Sequence, residues 1–295
     1  MARPTATVGQ VLLDRIGAQA AVLAGLDDAV RADEPDAVHR MRVACRRLRS
    51  ALRTFRRLFA PGATDHLVAE LRWLAAALGR ARDGEVLAER LAAQARALPA
   101  ECRPERVAAE LERWGRAEYR QAWPEVLAAL DSPRRRALAD ALATLLADPP
   151  LRRRAARAAV PELARIAERE QHRTGERVRA ALDAGAGPAE QRDRALHEAR
   201  KAAKRARYAG ETAAPAVGAA AERYTDRMKA VQELLGEHQD AVIAADTLTG
   251  QAAESGEPFG LGALYARQLA AAETARARLP QVWARAARRT LLRFG

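Results

Sequence analysis

Two stretches of this chain carry the same order of histidine, basic and apolar positions, and any fold has to accommodate both. Ala-Val-His39-Arg-Met-Arg-Val-Ala-Cys-Arg-Arg-Leu-Arg49 aligns without gaps on Ala-Leu-His197-Glu-Ala-Arg-Lys-Ala-Ala-Lys-Arg-Ala-Arg207. Further on, Leu78-Gly79-Arg-Ala-Arg-Asp83 has a counterpart in Leu235-Gly236-Glu-His-Gln-Asp240 at almost the same offset. Similarity over two separated blocks points to an internal duplication, which predicts two similar units. The double proline in Asp148-Pro149-Pro150 is the strongest break between them. Residues 1–150 are therefore expected to form one half and residues 151–295 the other.

Both halves read as helix. Stretches rich in Ala, Leu, Arg and Glu are punctuated by Gly and Pro, while Val and Ile are sparse and aromatic residues make up only 4% of the chain. With 49% hydrophobic residues over 295 positions, the chain can bury a substantial core. The expected fold class is all-α, as two pseudo-symmetric antiparallel helical bundles of four-helix type. Helical periodicity runs from Val8 to about Val30, then from an N-cap at Asp36 to about Ala60, where Pro61-Gly62 stops it. A third helix is predicted to end at Gly79 and a fourth to start after Asp83. In the second half, Pro161 marks a start, Gly185-Ala186-Gly187-Pro188 a break, and Pro215 and Gly236 further ends, before a last helix from about Leu261 to Leu292. On this pattern Gly79 and Gly236 are C-caps, and Asp83 and Asp240 are helix N-caps rather than catalytic groups. Trp73, Trp114, Trp123 and Trp283 are expected to anchor the core.

Lys and Arg number 50 against 38 Asp and Glu, a formal charge of +12 with a pI near 10.8, so an anionic partner is favoured. Total arginine is weak support, because a GC-rich genome inflates both Arg and Ala; placement carries more weight. At about 100° per residue, His39, Arg42, Arg46, Arg49 and Arg53 fall within an arc of roughly 80°. Met41, Leu48, Leu52, Phe55 and Phe59 occupy the opposite side. No acid stands between Asp36 and Asp65, whereas eight arginines do. Like charges three or four positions apart cost about 0.2 to 0.5 kcal/mol per pair, so this stripe costs on the order of 1 to 2 kcal/mol unless an anion neutralises it. In the second copy, His197, Arg200, Lys204 and Arg207 recreate the stripe with Lys201 and Tyr208 at its edge, and Ala199, Ala202, Ala206 and Ala209 offer a small-residue packing face. Glu211 stands where the first copy has Arg53, which either shortens the second stripe or supplies an internal partner. Each histidine could act as a neutral donor or as a charge recruited on binding. Arg72 and Lys229 take matching places on the following helices, and Arg80, Arg82 and His238 lie near the next turn.

These segments, His39 to Arg53, His197 to Tyr208 and the two Leu-Gly-x-x-x-Asp blocks, resemble the CHAD domain, the conserved histidine α-helical domain. The resemblance covers about Val8 to Leu292. It implies two pseudo-symmetric four-helix bundles whose basic helices line a central cavity or groove; such domains are often joined to a CYTH triphosphatase domain, but with the first stripe beginning at His39 a stand-alone member is expected. It also implies binding of inorganic polyphosphate and association with polyphosphate granules. Carried over position by position, the implied contacts are His39, Arg42, Arg46, Arg49, Arg53, His197, Arg200, Lys204 and Arg207.

The expected function is thus non-catalytic binding of inorganic polyphosphate, with a nucleic-acid-binding helical protein as the alternative. The alternative draws on the same charge, but the stripes lack aromatic interleaving for base stacking. The stripes hold few acids, and neither a glycine-rich phosphate loop nor an HExxH pattern occurs, so no catalytic residue, metal or cofactor is expected. Cys45 and Cys102 lie far apart without a CxxC partner, consistent with a reducing compartment. With no apolar signal core in the first ten residues and no apolar run approaching about 20 residues, a cytoplasmic protein without membrane insertion is expected.

Overall fold

The computed structural model describes residues 6–253 and 255–288 and is all-α. The helices are α1 (Val8–Ala24), α2 (Asp27–Arg31), α3 (Ala37–Thr54), α4 (Asp65–Ala95), α5 (Pro104–Asp131), α6 (Pro133–Ala147), α7 (Ala159–Asp183), α8 (Ala189–Val217), α9 (Ala219–Ala252) and α10 (Pro258–Ala286), with short 3₁₀ turns between some of them. None of these helices is long and apolar enough to cross a membrane. The expected end of the last helix at Leu292 lies outside the described residues.

Local chemistry accounts for several ends. Thr7 opens α1 with a capping box, its hydroxyl accepting from the Gln10 N–H at 3.2 Å while its own N–H donates to Gln10 Oε1 at 3.0 Å. Ser132 opens α6 by accepting from the Arg135 N–H at 3.1 Å, followed by Pro133 at the first helical position. Asp36 does precede α3, but with φ at 65° and no side-chain capping bond. The second helix ends at Thr54 rather than near Ala60, giving way to a 3₁₀ turn at Arg56–Leu58. Pro215 lies within the last turn of α8, which continues to Val217 before Gly218 takes φ of 71°.

The reading of the Leu-Gly-x-x-x-Asp blocks as helix ends and starts is overturned. Gly79 and Asp83 lie inside α4, and Gly236 and Asp240 inside α9, so neither glycine ends a helix and neither aspartate starts one. A glycine within a helix costs about 1 kcal/mol relative to alanine, and both sites use the missing side chain for a close neighbour. A Cβ on Gly79 would stand 3.3 Å from Arg42 Nη2, and one on Gly236 would stand 3.5 Å from Arg200 Nε. The tryptophans also differ from expectation: all four are half-buried rather than fully enclosed. Trp73 lies beneath the Arg134 guanidinium, 4.3 Å from the ring centre, and Trp123 stacks on Tyr119.

Packing follows the same order in each half: α1 on α3, α3 on α4 and α4 on α5, then α7 on α8, α8 on α9 and α9 on α10. The halves are joined by more than the linker. Val8 N–H donates to Arg157 O at 2.9 Å, Ala159 N–H to Ala6 O at 3.0 Å, and Arg152 N–H to Leu58 O at 2.8 Å. Apolar clusters also cross residue 150: Leu163, Ile166, Ala209 and Ala213 join the core of the first half, and Leu91, Val107 and Leu111 pack with Ala244, Leu248, Leu261 and Leu264. Across the halves, α3 also packs against α8.

The distal join leaves no spare volume at Gly260 on α10, where a Cβ would stand 2.6 Å from Cys102 O and press on Val107. Gly260→Leu should therefore destabilise the protein by about 1 to 3 kcal/mol, read as a lower urea midpoint with an unchanged slope.

Candidate functional site

Each helix is anchored by its own apolar face: Met41, Leu48 and Leu52 of α3 lie in one buried cluster and Ala199, Ala203 and Ala206 of α8 in another, while Ala209 and Ala213 of α8 join the α3 cluster. Met41, Leu48 and Leu52 of α3 and Ala199, Ala202, Ala203 and Ala206 of α8 are all fully buried. Burying those faces fixes the direction of the basic stripes, because positions three and four apart share a helix face. The stripes converge on a groove of about 260 Å³ lined by Arg46, Arg49 and Arg53 from α3 and by His197, Arg200, Lys201, Lys204 and Arg205 from α8, with Ser50 and the edge of Tyr208.

The predicted basic residues divide into two sets. Arg42 is spent on a fork-to-fork ion pair with Asp83 of α4, at 2.6 and 3.0 Å, and stands outside the groove. Arg207 donates to Glu211 at 2.9 Å and to Gln232 at 3.1 Å, and is likewise outside it. Glu211 thus serves as an internal partner: Arg15 also reaches it at 2.8 Å and Arg47 at 3.6 Å. Lys201 pairs with Glu198 on its own helix. Arg82 pairs with Glu85 at 2.6 Å, and Lys229 with Glu233 at 3.7 Å; neither lines the groove. Arg72 is exposed on α4, although its charge is felt at Arg49.

The second set consists of Arg46, Arg49, Arg53, Arg200 and Lys204. Among the described residues no carboxylate lies within ion-pair distance of any of them. The Nε–H groups of Arg46 and Arg200 are buried without an acceptor among the described residues. A buried donor left unmade costs about 1 to 3 kcal/mol, more when charged, so this arrangement is unfavourable until an anion enters.

The histidines do not play twin parts. His197 lines the groove with Nδ1 2.9 Å from Gln239 Oε1, which puts the donating proton on Nδ1. His39 sits exposed on the first turn of α3, outside the groove. His238 is buried away from it, with Nε2 3.2 Å from Arg276 Nη1 and 3.5 Å from Asp193; burial, and then the nearby arginines, depress its pKa against the pull of Asp193. Arg205 was missed in the sequence because it lies one position off the Lys204 stripe; it reaches the groove from the edge, with Glu170 of α7 at 3.7 Å.

Lys204 registers the crowding most directly. Burial, then the charges of Arg46, Arg200, Arg49 and Arg207, push its ammonium down to about 7. Burial together with Arg53 and Arg72 also lowers Arg49. The folded protein therefore holds the Lys204 proton more weakly than the unfolded chain does. The cost to folding is absent above the ordinary lysine range, grows as pH falls from there, and is complete below about 7. Lys204→Met should raise the melting temperature at pH 6 to 7, with a gap over the wild type that shrinks toward pH 10; an equal or lower melting temperature near neutrality would contradict this account of the groove.

The comparisons agree with this architecture. The CHAD domain family model matches residues 14–249. Over 262 residues the chain is 36% identical to the uncharacterized protein Rv2226 of Mycobacterium tuberculosis strain H37Rv and to its counterpart MT2285 in strain CDC 1551, covering 86% of this chain and 48% of each relative. The chain thus spans about half the length of these curated relatives. Among solved structures, PptA from Streptomyces chartreusis is similar with a TM-score of 0.75 and 26% identity, covering 95% of this chain and all of that one. The CHAD domain from the plant Ricinus communis is similar with a TM-score of 0.72 and 26% identity, covering 96% and 92%.

Proposed function

The chain belongs to the CHAD domain family, and from that premise we propose that the α3–α8 groove binds inorganic polyphosphate without transforming it. The observation that carries the reading is the set of five cations, Arg46, Arg49, Arg53, Arg200 and Lys204, that face one concavity and have no acidic partner among the described residues. A linear phosphate polymer supplies closely spaced negative oxygens along such a groove. Arginine forks grip those oxygens in pairs, and each charge-assisted bond relieves repulsion among the groove's own cations.

The engagement of the nearby carboxylates supports binding rather than catalysis. Glu211 is engaged by Arg15, Arg47 and Arg207, and Glu170 by Arg169, Arg173 and Arg205. Carboxylates so occupied are poorly placed to hold a divalent cation or to act as a base in phosphoryl transfer. Nucleic acid would draw on the same charge, but of the rings at the groove Tyr208 is only 7% exposed and the half-buried His197 is held by Gln239, which leaves little face for base stacking. On this reading the protein works in the cytoplasm, on polyphosphate in solution or in granules.

Titration with long-chain polyphosphate should show binding whose affinity falls about 10²-fold between about 50 and 200 mM salt, as expected for about five released counterions. Arg46→Glu with Arg49→Glu should weaken it by at least about tenfold, since each lost charge-assisted bond is worth about 1.5 to 3 kcal/mol. Unchanged affinity in the double variant would defeat the proposal. A preference for DNA or RNA over polyphosphate at matched salt would move the function to nucleic acid.

A further inference from the structure

Arg53 and Arg205 each have a second side. Past them opens another concavity, of about 400 Å³, that also takes in Arg56 and Arg57 from the 3₁₀ turn after α3 and Arg169, Arg173 and Arg177 from α7. In all, seven arginines and two carboxylates, Asp65 and Glu170, line it. The imbalance matters because the acids cannot neutralise the wall. Glu170 is 1% exposed and already serves Arg173 at 3.3 Å and Arg169 and Arg205 at 3.7 Å. Burial lowers the Arg169 pKa, and so do Arg57, Arg154 and Arg173 beside it, although Glu170 pulls the other way. Arg57 and Arg177 are exposed, and no carboxylate lies within ion-pair distance of either among the described residues.

The two concavities share Arg53 and Arg205, so an anion leaving the α3–α8 groove at its Arg53 end passes directly into the second. Along α3, Arg46 to Arg53 spans about 10 Å, at 1.5 Å per residue. A short oligophosphate therefore finds its partners within the first lobe alone. Only a longer polymer keeps phosphates to spare when it reaches Arg53, and those would otherwise stand in solvent.

We propose that the α7-lined concavity is a second lobe of the same polyanion site, one that is filled only by long phosphate chains and so makes the protein selective for chain length. The proposal rests on the polyphosphate reading of the first lobe. It gives the arginines of α7 a role that the α3 and α8 stripes do not contain.

The test compares tripolyphosphate with long-chain polyphosphate, binding each to the wild type, to Arg57→Glu with Arg177→Glu, and to Arg113→Glu with Arg120→Glu on α5 as a charge-matched control. Both altered pairs are exposed, and circular dichroism together with the melting temperature confirms that each variant is folded. The second-lobe variant should lose at least about tenfold on the long chain and less than about threefold on tripolyphosphate, while the control loses less than about threefold on both. An unchanged long-chain affinity, equal losses on the two ligands, or a control as weak as the second-lobe variant would overturn the second lobe while leaving the first intact. If Arg49→Glu fails to weaken tripolyphosphate, the reading of the first lobe falls, and the second falls with it.

Discussion

Arg46 and Arg49 on one helix and Arg200 and Lys204 on another line the same concavity, and like charges at that spacing repel. The rest of the structure holds them there. Full burial of Met41, Leu48 and Leu52 on α3 in one core cluster and of the alanine face of α8 in another anchors each helix, each large side chain contributing about 1.5 to 3 kcal/mol. That gain is several times the like-charge penalty along one stripe. The fold can therefore hold a partly desolvated basic groove together, at the expense of a lysine whose proton is held only to about pH 7.

The carboxylates near the stripes decide which cations remain available. Asp83 draws Arg42 away, with Gly79 giving the guanidinium room to lie against α4. Glu211 gathers Arg15, Arg47 and Arg207 on the far side of the groove. Both pairings tie α3 or α8 to a neighbouring helix, so the same ion pairs that remove charge from the groove also brace its walls. Because Asp83 is 69% exposed, its pair with Arg42 contributes mainly orientation, with a stability share of no more than about 1 kcal/mol.

Much of this was legible in the sequence because it depends on short-range spacing. The apolar faces of α3 and α8, and the groove positions Arg46, Arg49, Arg53, Arg200 and Lys204, follow from a period of 3.6 residues. What the sequence hid depends on contacts between distant segments. Nothing local tells that Arg42 meets an aspartate 41 positions away, or that Arg15 reaches Glu211. The Leu-Gly-x-x-x-Asp blocks were misread because glycine followed by aspartate is also the pattern of one helix ending and another starting, whereas here glycine is the space for an arginine. The α7 arginines did leave a signal: Arg165, Arg169, Arg173 and Arg177 recur every four residues, yet interspersed Glu168, Glu170 and Glu176 make the segment resemble an ordinary solvated face.

The unpaired charge of the groove calls for an anion, and the proposal that this anion is polyphosphate rests on the chain's place in the CHAD domain family. The most direct test is a crystal structure of the protein grown with medium-chain polyphosphate. The account predicts consecutive phosphates lying between α3 and α8, with oxygens on Arg46, Arg49, Arg200 and Lys204 and the Arg42–Asp83 pair undisturbed. Phosphates confined to the exposed arginines of α5 and α6, with the α3–α8 groove holding only water, would contradict it.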